Sequence, residues 1–266
     1  MPEIQINNAK YHYVDTGKGD ETIIFAHGFL MDNEMFRYQI EALKDTYRII
    51  AFDWRGQGRS EVTENDYEMD DLYEDALALI EALKLKNLHW VGVSMGGFIG
   101  MRIAARHPGL LRSLVLADTS DEGETFIKKI RWGILAYIFK YFGAAPIIKG
   151  IQKALFGKSS LANPDFQPIM DEYAEKWKRL DKNATFKIAW AIFNRLPVTN
   201  ELNNIKSPTL VVVGDEDIAR PADEAERLTK RIENARMEII PRAGHSSPLE
   251  QPEYFNRVYT DFLRQL

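Results

Sequence analysis

The chain has 266 residues, enough for one large domain or two small ones. Its 34 basic and 39 acidic side chains leave a net charge of −5, which gives no electrostatic ground for binding nucleic acid. Cysteine is absent, which excludes disulfides, thiolate catalysis and cysteine-bound metals. The opening MPEIQINNAKYHYVD carries neither the basic nor the apolar region of a secretory signal, and no run of about 18 apolar residues occurs. The expectation is a cytoplasmic protein with no stable membrane insertion. Two classes stay open: an enzyme acting on a small molecule, and a binding protein built on an enzyme-like scaffold.

Residues 4–7 and 10–15 read as two short strands turned by Asn7-Asn8. Residues 22–26 (TIIFA) form a short continuous apolar run, as expected of a strand buried on both faces. A helix is predicted over about 33–44 and a strand over 47–52. Residues 66–84 make the clearest helix, with Leu72, Ala76, Leu79, Ile80 and Leu83 at three- and four-residue spacing. A strand over 88–93, a helix from 95 to about 106 stopped by His107-Pro108-Gly109, and a strand over 113–117 follow. Strands alternating with helices imply right-handed crossovers and a mostly parallel sheet.

That rhythm breaks after Asp118. From about 119 to 200 only aromatic-rich helical segments appear, such as IKKIRWGILAYIFKYFG and ATFKIAWAIFNRL. The sheet pattern resumes at PTLVVVG (208–214), followed by a helix over about 222–232, a strand over 236–240 and a helix after Pro252. The expected organisation is a core of residues 1–118 and 201–266 with a helical cap of residues 119–200.

The strongest chemical signal is Gly92-Val93-Ser94-Met95-Gly96, a G-x-S-x-G between a buried strand and a helix. Glycines on either side of a serine allow a sharp strained turn that lifts the hydroxyl clear of the sheet. A serine hydroxyl needs a base. Among five histidines, His12 and His89 fall inside strands, and His107 sits at a helix end, where the last carbonyls are in reach. His245 lies in the loop RAGHSSP after the last predicted strand, so it is the expected base. Asp217, just beyond the PTLVVVG strand, is the expected carboxylate partner; Asp215, Glu216 and Asp118 on the same sheet edge compete for the role. The amides of Met95 and Phe29 are the expected oxyanion hole, with His27 bracing the second loop. DWRGQGRS at 53–60 fits neither a Walker motif nor a dinucleotide fingerprint and reads as a structural turn with an Asp53–Arg55 contact.

HGF at 27–29, DWRGQGRS at 53–60, GVSMGG at 92–97, GDEDIARP at 214–221 and AGHSSPLEQP at 243–252 together resemble the α/β-hydrolase superfamily over essentially the whole chain. The resemblance implies an α/β fold with a mostly parallel eight-stranded sheet, helices on both faces, antiparallel first strands and a helical cap after the sixth strand. It also implies a Ser94–His245–Asp217 triad and neither cofactor nor metal. Within the superfamily the chain is similar to esterases, lactonases and C–C-bond hydrolases, including 3-oxoadipate enol-lactonases and acyl-homoserine lactonases. It departs from haloalkane dehalogenases and from epoxide hydrolases of this fold, which carry aspartate where Ser94 stands.

The aromatics of residues 119–200 are expected mostly to pack the cap onto the sheet, with a minority roofing Ser94. An apolar ester or lactone is therefore the expected substrate and partner; C–C cleavage, peracid formation, or a ligand receptor with vestigial activity are the other readings. Oligomeric state, monomer or homodimer, is not legible. Residues 125–160 hold seven basic side chains and no acidic one. This reads first as a solvated helix face, and second as a basic lid approaching lipid surfaces or carboxylate substrates.

Overall fold

The computed structural model describes residues 2–266. Eight strands form one sheet: β1 (Glu3–Ile6), β2 (Ala9–Asp15), β3 (Thr22–Ala26), β4 (Arg48–Phe52), β5 (Leu88–Val93), β6 (Leu111–Ala117), β7 (Thr209–Gly214) and β8 (Ala235–Ile240). The order across the sheet is β1-β2-β4-β3-β5-β6-β7-β8. β1 and β2 pair antiparallel and β2 runs antiparallel to β4; all other pairs are parallel.

Every residue of β3, β5 and β7 is buried. Side chains alternate between the two faces of a strand, so both faces must be covered by helices. On one face Ile24, Trp90, Leu114 and Val211 pack with Leu72 of α2 (Met69–Ala82), Met101 of α3 (Met95–Arg106) and Leu228 of α9 (Ala222–Arg231). On the other, Ile23, Phe25, Val91 and Val115 pack with Leu43 of α1 (Arg37–Leu43) and Phe255 and Tyr259 of α11 (Pro252–Leu263). The helix expected from 66 starts at Met69: Asp66 takes a positive φ, and a capping box between Glu68 and Asp71 sets the start.

Between β6 and β7 the chain forms α4 (Phe126–Phe142), α5 (Ile148–Leu155), α6 (Lys158–Leu161), α7 (Gln167–Arg179) and α8 (Lys182–Asn194), with no strand. A short helix, α10 (Ser247–Glu250), precedes α11. Because β3 to β8 are parallel, the loops that follow them all emerge at one edge of the sheet. His27, Asp53, Ser94, Asp118, Asp217 and His245 all lie in these loops.

Candidate active site

Ser94 is the link between β5 and α3 and holds φ 50° and ψ −108°. A side-chain-bearing residue pays for this conformation, and it persists only where the surroundings impose it. Here they do. The Ser94 amide donates to Ala117 O (2.9 Å), and Thr119 Oγ1 donates to Ser94 O (2.8 Å). A Cβ at Gly96 would collide with the Ala26 carbonyl, so only glycine lets α3 approach β3 this closely. The serine consequently sits at the positive end of α3.

His245 Nδ1–H donates to Asp217 Oδ2 at 2.8 Å, which leaves Nε2 as the basic nitrogen. Asp217 Oδ1 accepts the amides of Ala219 (2.8 Å) and Arg220 (2.9 Å), so its own loop fixes the carboxylate. Burial alone would depress the His245 pKa. The charge of Asp217, its hydrogen bond and the charge of Asp118 outweigh burial and hold the imidazole above its ordinary 6.5.

None of the three competing acids bonds the His245 ring, whose carboxylate partner is Asp217. Asp215 is exposed. Glu216 receives Ser159 N–H and Oγ–H, both at 2.7 Å, and so ties α6 to the sheet edge. Asp118 lies fully buried, accepting Gly214 N–H and Ser247 N–H, both at 3.0 Å. It thereby couples the end of β7 to the histidine loop. Burial, and then the charge of Asp217, push its pKa up to about 7.

Glu250 is a further functional residue that no sequence motif marks. Its Oε1 accepts the amides of Gly244 (2.9 Å) and Ser246 (3.2 Å), the two neighbours of His245, and its Oε2 accepts Gly157 N–H (2.7 Å). Burial raises this carboxyl to about 7 against those donors, which favour the charge. A Cβ on Gly244 would collide with Gly157 N, so the loop before α6 rests directly on the histidine loop. The only sequence signal was an acid five residues beyond the histidine, which alone cannot be told from a helix-surface glutamate. Glu250→Gln keeps an acceptor for Gly244 and Ser246 but offers an amide N–H to Gly157 N–H. It should destabilise the protein by about 1–3 kcal/mol in urea unfolding and lower kcat more than it raises KM.

The loop after β3 is braced from three sides. His27 Nδ1–H donates to Gly28 O (2.8 Å), and its Nε2 accepts Trp54 N–H (3.0 Å). Leu30 N–H donates to Gln57 Oε1 (2.8 Å), and Trp177 Nε1–H of α7 donates to Leu30 O (2.6 Å). Burial holds the His27 pKa below its ordinary value, as suits a neutral brace. The amides of Phe29 and Met95 accordingly sit in fixed backbone, and neither has an acceptor among the described residues.

Two expectations about polar partners are corrected. Asp53 and Arg55 do not pair. Asp53 instead accepts Asn33 N–H (2.7 Å) and Arg59 N–H (2.9 Å) and faces His12 Nδ1 (3.1 Å). Arg55 forms a two-bond pair with buried Asp75 of α2 at 2.6 Å, so the two side chains are held by different segments of the fold. His107 bonds Tyr73 OH (2.7 Å) through its ring, leaving helix carbonyls to its own backbone amide. His89 is held by Ser113 Oγ (2.8 Å).

Ser94, His245 and Phe29 line a cavity of about 140 Å³. Its walls are otherwise mainly apolar and come largely from the insertion, including Trp132, Leu135 and Phe139 of α4, Ile151 of α5 and Phe186 and Phe193 of α8. At one side stands an ionic cluster. Glu124, just before α4, pairs with Arg195, just after α8 (2.7 Å), and with Arg220 of the Asp217 loop. The Glu124 side chain is only 2% exposed. Burial opposes its charge, but the two guanidiniums overcome this and lower its pKa to about 2. Both ends of the insertion are thus tied to the loop that carries Asp217.

Comparison with known proteins agrees with this fold. Residues 21–252 match the model of the alpha/beta hydrolase fold family. The chain is 27% identical to 3-oxoadipate enol-lactonase 1 of Acinetobacter baylyi over 92% of this chain and 89% of that one. It is 29% identical to a 2-hydroxy-6-oxononadienedioate/2-hydroxy-6-oxononatrienedioate hydrolase of Paraburkholderia xenovorans, over 95% and 90%. Among solved structures, a thermophilic esterase from Thermogutta terrifontis superposes with a TM-score of 0.91 at 26% identity, covering 100% of this chain and 99% of that one. With its sheet order, its insertion after the sixth strand and a family match over most of its length, the chain belongs to the alpha/beta hydrolase fold family and is a hydrolase.

Proposed function

We propose that the protein is a carboxylic ester hydrolase that cleaves small to medium apolar esters or lactones through an acyl-enzyme on Ser94. The reading rests above all on the Asp217–His245 hydrogen bond beside a strained Ser94 in one apolar cavity. His245 Nε2 takes the Ser94 proton as Oγ attacks the acyl carbon. The Phe29 and Met95 amides receive the developing oxyanion. The imidazolium, held by Asp217, then protonates the leaving alkoxide, and His245 activates the water that releases the acid. No step calls for a cofactor or a metal. Residues 119–200 act as a cap over a core of residues 1–118 and 201–266, supplying the apolar walls that exclude water from the acyl group.

The test is initial rates on p-nitrophenyl esters of graded acyl length. The cavity of about 140 Å³ is smaller than the usual drug-sized pocket of roughly 300 Å³ or more. Short and medium acyl groups should therefore turn over fastest and dodecanoyl esters slowest. Absence of turnover across the whole series would overturn the ester reading.

The base must be neutral to accept a proton, and it is protonated below its pKa. Because the His245 pKa is raised, kcat/KM for a neutral ester should fall on the acid side with a midpoint above the ordinary 6.5. An acid limb centred well below 6.5 would contradict the Asp217–His245 charge coupling.

Similarity to the Paraburkholderia hydrolase supports a second reading, in which the same triad cleaves a C–C bond beside a carbonyl. Product analysis separates the two, since a C–C hydrolase consumes β-diketone-like substrates and leaves simple esters nearly untouched.

A further inference from the structure

Helix α4 is apolar on two opposite faces. Trp132, Leu135, Ala136 and Phe139 line the cavity. Ile127, Ile130, Ile134, Tyr137 and Tyr141 recur at intervals of three and four residues, which places them on the far side of the helix. All five are exposed, and Phe126 and Ile127 reach 77% and 78% exposure. The stripe widens onto α8. Tyr137 contacts Phe186 (5.0 Å) and exposed Trp190 (6.3 Å), and Lys140 Nζ lies 4.3 Å above the Phe186 ring. The expectation that the aromatics mostly pack the insertion onto the sheet therefore fails at Phe126, Tyr137, Tyr141, Phe142 and Trp190. Isolated exposed apolar side chains are ordinary, but a stripe along a whole helix marks an interaction surface.

The charge around the stripe selects the partner. Of the seven basic residues in 125–160, Lys128 pairs with Glu224 and Lys158 reaches Glu216. Lys129, Arg131, Lys140, Lys149 and Lys153 have no carboxylate partner among the described residues. On a chain with a net charge of −5, Lys129, Arg131 and Lys140 put a local excess of positive charge on the same helix as the exposed isoleucines and tyrosines. A two-fold contact with a second copy would set these cations against one another, which is costly. An anionic bilayer meets both features: its headgroups face the lysines and its acyl boundary takes the apolar side chains. Among the described residues no helix is long and apolar enough to cross a membrane, so the contact lies on the surface.

We propose that the outer face of α4, extended by Trp190, docks the protein peripherally on anionic lipid bilayers and so places the cavity roof against the membrane. The test is co-sedimentation of the full chain with vesicles of phosphatidylcholine alone and of phosphatidylcholine mixed equally with phosphatidylglycerol. Tryptophan fluorescence quenching by spin-labelled lipid, with Trp190→Phe isolating the contribution of Trp190, is the second readout. The protein should pellet with the anionic vesicles only, with Trp190 quenched. Ile127→Asp/Ile130→Asp and Lys129→Glu/Arg131→Glu should each weaken partitioning roughly tenfold or more, the first by losing apolar side chains from the acyl boundary and the second by reversing two cations that face the headgroups. Their turnover of a soluble ester should match wild type, which confirms that they fold. Failure to bind anionic vesicles, or equal binding by wild type and both variants, would overturn the proposal. So would a concentration-dependent dimer abolished by Ile127→Asp/Ile130→Asp, which would assign the face to a second copy.

Discussion

Ser94→Ala is expected to lower kcat/KM for short-chain nitrophenyl esters by about 10⁶ and Asp217→Asn by about 10⁴, whereas Asp118→Asn should cost only about 10–100-fold. The ranking follows from what each group touches. Alanine at 94 removes the oxygen that attacks in the proposed mechanism, leaving only binding and the proposed oxyanion amides. Asparagine at 217 still accepts the Ala219 and Arg220 amides but cannot stabilise an imidazolium, and it can hold the wrong His245 tautomer. Asp118 does not bond the imidazole; its carboxylate joins Gly214 to Ser247, so asparagine there disturbs the histidine loop through one mismatched amide pair. Steady-state kinetics on the three purified variants, with circular dichroism to confirm folding, makes the comparison. A larger loss at Asp118 than at Asp217 would reassign the acid.

Gly96→Ala is expected to be the most damaging single methyl group in the molecule, costing more than about 4 kcal/mol, so that folded protein is scarcely recovered. A side chain there would occupy the position of the Ala26 carbonyl in β3, and both partners are backbone, so no rotamer change relieves the overlap. Both the Ser94 turn and the neighbouring parallel strand would have to move. Soluble yield and urea midpoint against wild type read the effect. A variant with a normal midpoint would show that the turn is more pliable than its fully buried surroundings imply.

Much of the candidate site was legible because its signals are local. The strand-turn-helix around Ser94 is written in six consecutive residues, and His245 and Asp217 each follow a strand readable from its apolar run. Asp118 was ambiguous for a sound reason. It ends a parallel strand at the same edge as Asp217, and sequence position cannot say which carboxylate reaches the imidazole. Glu250, through Gly157, and the Glu124–Arg195–Arg220 cluster were not legible, since each joins segments dozens of residues apart and the acids look like surface glutamates. The Asp53–Arg55 pairing failed for the complementary reason. Proximity along the chain suggested a contact that the fold does not make, and Arg55 pairs with Asp75 of α2 instead.

What the amino-acid order determined is the set of elements and the chemistry at their ends. Runs such as TIIFA and TLVVVG read as buried strands, and G-x-S-x-G between strand and helix reads as a tight turn with its serine raised. What the tertiary structure alone decided is which charged groups meet and which apolar helix faces are covered. Hydrophobic periodicity states that a face is apolar but not whether anything lies against it. In α4 both faces are apolar; the fold closes one over the cavity and leaves the other open, because the packing of α5 and α8 around Ser94 settles which side of the helix turns inward.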